Sequence, residues 1–298
     1  MTTVSTSTTA MSTTATSTTG FRQRDSFIEL GARKRAAALL DAGTARELLG
    51  PFDRVKSPWL ERQGITAQAD DGVVAMKGSL AGQPAVVLAI EGAYQGGSMG
   101  EVGGAKIAAA LELAAEDNRN GIPTSALILF ETGGVRLQEA NLGLAAIADI
   151  HAGIADLRRY QPVIGVSAGT VGCYGGMSIA AGLCSYLVCT RDARLGLNGP
   201  QVIEQEAGIA EFDSRDKPFI WSLTGGEQRY LTGLVDAYVQ DDVAEIRAAV
   251  LQCLREGVPQ SHRSDRYRDY LARLAELDTA VQASAEGVRH LYKKGSAS

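Results

Sequence analysis

From Arg24 to Gly50 the apolar residues Phe27, Leu30, Ala37, Leu40, Ala45, Leu48 and Leu49 recur at helical spacing, with Lys and Arg on the opposite side. That spacing predicts a helix. The period then changes. Val73-Val-Ala-Met-Lys-Gly-Ser-Leu80 and Ala85-Val-Val-Leu-Ala-Ile90 flank the turn Ala81-Gly-Gln-Pro84 and predict a hairpin. A loop follows with six glycines from Gly92 to Gly104. Ala105 to Asn118 returns to helical spacing, with Ile107, Leu111 and Ala114/Ala115 on one stripe. Ser125 to Phe130 reads as a buried strand and Val135 to Tyr160 as a helix.

Pro162 to Thr190 runs 29 residues without a charge, long enough to span a bilayer. It also carries Gly165-x-x-x-Gly169 and Gly172-x-x-x-Gly176, a spacing found where membrane helices pack. Six glycines and several Ser and Thr interrupt it, however. Pro162-Val-Ile-Gly-Val-Ser167 reads as a short strand, Gly175 onward as a helix of small residues, and Tyr186-Leu-Val-Cys189 as another strand. Such runs form the centre of a large α/β core, so no membrane span is expected. Ala193 to Leu197 predicts a short strand, Pro200 opens a helix, and Thr224-Gly-Gly-Glu227 caps another. Ala237-Tyr-Val239 is a strand stub, and Val243 to Arg255 and Arg263 to Leu277 are terminal helices. Strands and helices alternate with short loops, which makes the class α/β.

Residues 1–22 are almost all Ser, Thr and Ala until Arg22 and are expected to form a disordered tail, with no basic, apolar leader. One domain is expected over 23–290, and 291–298 as a flexible C-terminus. With 45% hydrophobic and 21% charged residues, the chain has enough apolar surface for a core. A net charge of -5 implies no basic face, and nucleic acid is not an expected partner. The four Cys and three His show no metal-ligand spacing, so no metal is expected, and the thiols read as reduced core residues of a cytoplasmic protein.

The 34 glycines exceed the usual share. Three pairs, Gly96-Gly97, Gly133-Gly134 and Gly175-Gly176, each follow a strand and open a helix. Glycine lets backbone approach a ligand closely, and free N–H groups at a helix start attract negative charge. Two such corners side by side can hold one oxyanion; tight turns and close packing are the plainer explanation of any one of them. Gly96-Gly-Ser98-Met-Gly100 also fits the G-x-S-x-G nucleophile elbow of hydrolases. Gly165-Val-Ser167-Ala-Gly169 fits it equally, and no His stands in a recognisable loop context.

Four segments come in a telling order: Gly96-Gly-Ser-Met-Gly100, Thr132-Gly-Gly-Val-Arg-Leu-Gln-Glu139, Val171-Gly-Cys-Tyr-Gly-Gly176 and Asn198-Gly-Pro-Gln-Val-Ile-Glu204. Together they resemble the carboxyltransferase branch of the ClpP/crotonase-like superfamily, over roughly Arg24 to Ala275. Across its length the chain is most similar to the β subunits of biotin-independent malonate decarboxylases. Acetyl-CoA carboxylase β subunits of bacteria carry an N-terminal zinc ribbon of four cysteines, whereas here all four Cys lie beyond residue 170.

The resemblance implies a ββα superhelix with flanking helices. It implies malonyl carried on an acyl carrier protein through a prosthetic group derived from dephospho-coenzyme A, with no biotin. It implies a homologous γ subunit facing the site, and an acyl carrier transferase subunit besides. Loss of carbon dioxide would leave an enolate needing two N–H donors. The expected donors are in the corners Gly133, Gly134, Gly175 and Gly176, chiefly the Gly134 amide with that of Gly175 or Gly176. Gly96, Gly97, Ser98, Gly100, Arg136 and Tyr174 are expected to bind the thioester and its prosthetic group. Tyr94, Glu131 and Tyr174, in or beside the glycine loops, are the candidate proton donors, directly or through water. Gln138 and Glu139 are expected to bond backbone, and Cys173 to pack. The helices at Arg24 to Gly50 and Arg263 to Leu277 are candidate interface elements. The alternative activity is a carboxyltransferase β subunit of a biotin-dependent acyl-CoA carboxylase.

Overall fold

The computed structural model describes residues 24–66, 68, 70–281 and 284–293. The expected tail at 1–22 lies outside the described residues. One sheet contains β1 (Arg46–Glu47), β2 (Val73–Leu80), β3 (Gln83–Ile90), β4 (Ser125–Phe130), β5 (Val163–Ser167), β6 (Tyr186–Thr190) and β7 (Ala237–Val239), side by side in chain order. β1, β2 and β3 are antiparallel, and every pairing from β3 to β7 is parallel. Each parallel step needs a crossover. Those after β3, β4 and β5 are α2 (Glu101–Arg119), α3 (Asn141–Leu157) and α4 (Gly176–Leu183).

The hairpin turn is tighter than expected. Ala81 and Gly82 have φ of 49° and 80°, the type I′ geometry that suits strand twist, and Gln83 already pairs with Leu80. β4 and β5 are buried along their whole length, as strands covered on both faces must be. On one face Leu88, Ile128 and Val163 pack with Ile107, Leu111, Ile150 and Met177 of the crossover helices. On the other, Val87, Leu127 and Ile164 meet Leu39 of α1 (Ala32–Leu39) and Ile246 and Val250 of α8 (Val243–Glu256).

A second ladder runs beside the main sheet. Met99 bridges Val135, Thr132 bridges Cys173, and Cys173 bridges Leu195, all in parallel. Each turn of chain therefore contributes a strand, a bridged corner and a helix, and the turns stack into a superhelix. This ladder accounts for two departures from expectation. Residues 193–197 form isolated bridges rather than a strand, and the helix expected from Val135 begins at Asn141, because Val135 belongs to the ladder and Leu137–Glu139 makes a 3-10 turn.

The helix expected over Arg24 to Gly50 is confined to α1. Just beyond it, the Asp41 carboxylate accepts from the hairpin amides of Ala81 (3.1 Å) and Gly82 (2.9 Å), which turns the chain out of the helix. The charge-free run is β5, a loop, α4 and β6. Among the described residues no helix is long and apolar enough to cross a membrane. α5 (Pro200–Ala207), with Pro200 in its first turn, and α7 (Gly226–Leu231) stand where expected. α6 (Lys217–Thr224) was not legible in the spacing. The expected helix at 263–277 is a 3-10 turn followed by α9 (Tyr267–Leu274). α10 (Ala285–Lys293) runs across position 290, the expected end of the domain, and 294–298 lie outside the described residues.

Candidate active site

The three diglycine corners follow the C-terminal ends of β3, β4 and β5, the edge where parallel sheets place their ligands. Gly96 and Gly97 both have φ of 64°. The Gly96 carbonyl accepts from the Gly133 N–H at 2.9 Å, so the first corner supports the second. The second and third corners touch through bare backbone. A Cβ at Gly175 would stand 3.1 Å from Gly134 Cα and 3.8 Å from the Val135 nitrogen. With φ of 111° and 62°, Gly134 and Gly175 also hold conformations that side chains disfavour.

Where the corner amides go decides what the corners can do. Gly134 N–H donates to Thr132 Oγ1 at 3.1 Å, a turn that threonine makes with backbone two residues on. Gly175 N–H donates to the Leu197 carbonyl at 2.7 Å. With Gly133 bound to Gly96, three of the four expected donors are engaged. The amides of Val135 and Gly176 have no acceptor among the described residues. Gly176 opens α4, whose N-terminus has no side-chain cap. Its N–H, without an acceptor among the described residues, lies at the positive end of that helix. Val135 was not anticipated, although the Thr132-x-Gly134 spacing was a usable signal. Nor was His151 of α3. Its Nε2 lies 2.8 Å from the Gly176 carbonyl, so that nitrogen carries a proton and donates.

The residues expected to bind the prosthetic group are mostly committed elsewhere. Arg136 is buried. Its guanidinium bonds Glu139 (2.9 Å), the carbonyls of Ser98 (2.9 Å) and Asp71 (3.2 Å), and Ser98 Oγ (3.3 Å), and it stacks over the Tyr94 ring. Four of its five N–H donors are thereby engaged. Glu139 also accepts from the Glu101 amide at 2.7 Å, the backbone role expected of it. A Cβ at Gly100 would meet Glu139 and Arg136, and one at Gly97 would collide with the Glu131 carbonyl, so both glycines make room for protein rather than ligand. Tyr174 is 5% exposed, packed between Gly172 and Gly196, and burial raises its pKa despite nearby Arg194 and Arg229. It is out of reach of a ligand and of a proton acceptor. Glu131 is likewise buried, in an ion pair with Arg35. Tyr94 is half-buried beside a cavity of about 290 Å³ that Arg136 and Gln138 also line. Its hydroxyl donates to Gln68 at 3.1 Å, and burial raises its pKa, so it keeps its proton at neutral pH.

Neither G-x-S-x-G serine meets a base. Ser98 accepts from Arg136, and Ser167 is fully buried with its hydroxyl unpartnered. Cys173 is fully buried, and desolvation pushes its thiol well above the ordinary range, so it packs as expected. What the corners therefore offer, among the described residues, is unengaged main-chain donors rather than a nucleophile.

Strands in chain order, each leading to a bridged glycine corner and then a helix, define a carboxyltransferase-type domain of crotonase-like fold. The carboxyl transferase domain family matches residues 29–279, and the chain belongs to it. Among its relatives, the malonyl-S-ACP:biotin-protein carboxyltransferase MADC of Malonomonas rubra is 40% identical over 243 residues, 77% of this chain and 76% of that protein. A chain of a Pseudomonas malonate decarboxylase hetero-tetramer, solved in complex with malonate, is 72% identical with a TM-score of 0.86, covering 90% of this chain and 98% of that one. A chain of the Pseudomonas MdcD-MdcE hetero-dimer of malonate decarboxylase is 63% identical with a TM-score of 0.72, covering 85% and 97%.

Proposed function

We propose that this chain is a subunit of a biotin-independent, cytoplasmic malonate decarboxylase. It acts on malonyl held as a thioester on an acyl carrier protein and yields the acetyl thioester and carbon dioxide. One observation carries this reading: two corners meet through bare backbone, and the amides of Val135 and Gly176 beside them have no acceptor among the described residues.

When the C–C bond of the malonyl group breaks, its electron pair moves into the thioester and leaves an enolate with charge on oxygen. Two fixed N–H donors in a site shielded from water stabilise that charge more than the neutral carbonyl before it, which is what accelerates the step. The donor pair is Gly176, one of the two amides expected from the third corner, and Val135 in place of the expected Gly134, because Thr132 and Leu197 occupy the amides of Gly134 and Gly175. A proton must then reach carbon. Tyr94 is the candidate, directly or through water in its cavity, since Glu131 and Tyr174 are sealed in the interior.

On this reading the thioester oxygen is held by the corner pair. The dephospho-coenzyme A-derived arm that carries it finds Arg136 already engaged by Glu139, Ser98 and Asp71. Exposed Leu137, Ile179 and Leu197 around the corners support a homologous γ subunit closing the site from above. An acyl carrier transferase subunit would reload the carrier. The relative named for transfer to biotin supports a second reading, in which the same enolate arises but the carboxyl group passes to biotin. Mixing the chain and its homologous partner with malonyl thioester, with and without biotin, separates the two. Carbon dioxide release without biotin is expected; turnover only with biotin would refute the decarboxylase.

A further inference from the structure

Glu131 follows β4 directly and precedes the second corner. The residue is 6% exposed, and its carboxylate pairs with Arg35 of α1, itself 7% exposed. Arg35 is fixed in turn by the carbonyls of Phe27 (3.0 Å) and Ile28 (2.7 Å). Three glycines from other loops close on this residue, two on its side chain and one on its carbonyl. A Cβ at Gly92, after β3, would stand 2.5 Å from Glu131 Cγ. One at Gly97, in the first corner, would strike the Glu131 carbonyl. One at Gly169, after β5, would land on the carboxylate itself. The amide of Val171, in the loop leading to the third corner, reaches Oε1 at 3.4 Å. The loops leaving β3, β4 and β5 thus rest on a common support.

Buried ion pairs contribute little net stability, since an apolar substitute of similar volume often does as well. A charged pair whose carboxylate side chain is closed in by glycines of two other loops is better explained by geometry. We propose that Glu131, held by Arg35, is the positioning residue of the site: it seats the loops after β3, β4 and β5 so that the Val135 and Gly176 amides converge on one oxygen. This rests on the enolate reading. It assigns Glu131 no contact with substrate.

The test uses the full chain assembled with its homologous partner and the malonyl-loaded carrier, and reads kcat, KM and melting temperature together. Glu131→Ala removes the support, and kcat is expected to fall at least ~10-fold with KM little changed. Glu131→Gln keeps the bulk but leaves Arg35 without its counter-charge. Its melting temperature is expected to fall while kcat stays within about threefold of the wild type. A role in fold stability alone would lower both melting temperatures and leave kcat per folded molecule unchanged, and that result overturns the proposal. Should Glu131→Ala not fold, Gly169→Ala displaces the carboxylate while both charges remain. It is expected to lose kcat likewise, whereas Gly182→Ala on α4, with nothing within 4 Å of the new Cβ, is expected to leave kcat unchanged. A folded Gly169→Ala protein with wild-type kcat also overturns the proposal. If the wild-type assembly transfers the carboxyl group to biotin instead, the decarboxylase reading fails, and the same variants, read on that transfer, still decide the role of Glu131.

Discussion

Gly175→Ala tests the corner from within. At φ 62° and ψ -148° the residue sits where a side chain costs of order 1–3 kcal/mol. Its new Cβ would meet Gly134 Cα at 3.1 Å, a few tenths of an ångström inside ordinary contact. Both strains relax if the peptide between Gly175 and Gly176 swings away from Gly134. That peptide carries the Gly176 N–H. Complete loss of one oxyanion donor costs roughly 2.7–4 kcal/mol, or about 100- to 1,000-fold in kcat. A partial swing costs less, so kcat is expected to fall between ~10- and ~1,000-fold. KM should change little, because the donors act on charge that develops only as carbon dioxide leaves. The assay is carbon dioxide release by the assembled complex at saturating malonyl thioester, with folding checked by thermal melting and Gly182→Ala as the control. A folded Gly175→Ala protein with kcat within about twofold of the wild type would refute the reasoning.

Three further outcomes are expected. Tyr94→Phe removes the candidate proton donor, and kcat should fall at least ~10-fold; a fall under about twofold would assign the proton to solvent. Asp41 accepts from Ala81, Gly82 and Ser79 and pairs with Arg247 at 2.6 Å, bonds led by that from Gly82 that hold its pKa below the ordinary value. The stability it adds is therefore complete above the ordinary carboxylate range and is lost as pH falls below it. Asp41→Ala should cost about 1–2 kcal/mol near neutrality by urea unfolding, and the gap from the wild type should close at low pH; a pH-independent gap would contradict the sign. All four cysteines are buried, and desolvation pushes Cys184, Cys189 and Cys253 up to about 12. A thiol reagent at pH 8 should label none in the native protein and all four in urea; rapid native labelling would contradict the packing.

What was legible in the sequence is what depends on neighbours along the chain. β4 spans Ser125–Phe130 as its unbroken apolar run predicts, and the hairpin and the three corners stand where alternation and paired glycines put them. What was not legible depends on distant partners. Arg35 and Glu131 are 96 residues apart, so nothing local distinguishes a proton donor from one half of a buried pair. Arg136 reads as a free cation until Asp71 and Ser98, brought by β2 and the first corner, close round it. Val135 replaces the expected Gly134 because Thr132 takes the Gly134 amide, and the choice of Gly176 over Gly175 turns on the distant Leu197 carbonyl; only the Thr132 contact is local. The 24–50 segment has the apolar period of one helix, but Asp41 finds its partners in the hairpin.

The central claim is that main-chain nitrogens hold the enolate oxygen. A crystal structure of this chain with its homologous partner and a non-cleavable malonyl thioester analogue, bearing an anionic oxygen at the enolate position, tests it most directly. That oxygen should lie about 2.7–3.1 Å from both the Val135 and the Gly176 nitrogens. An oxygen bound instead by a side chain, with either amide turned away, would contradict the account.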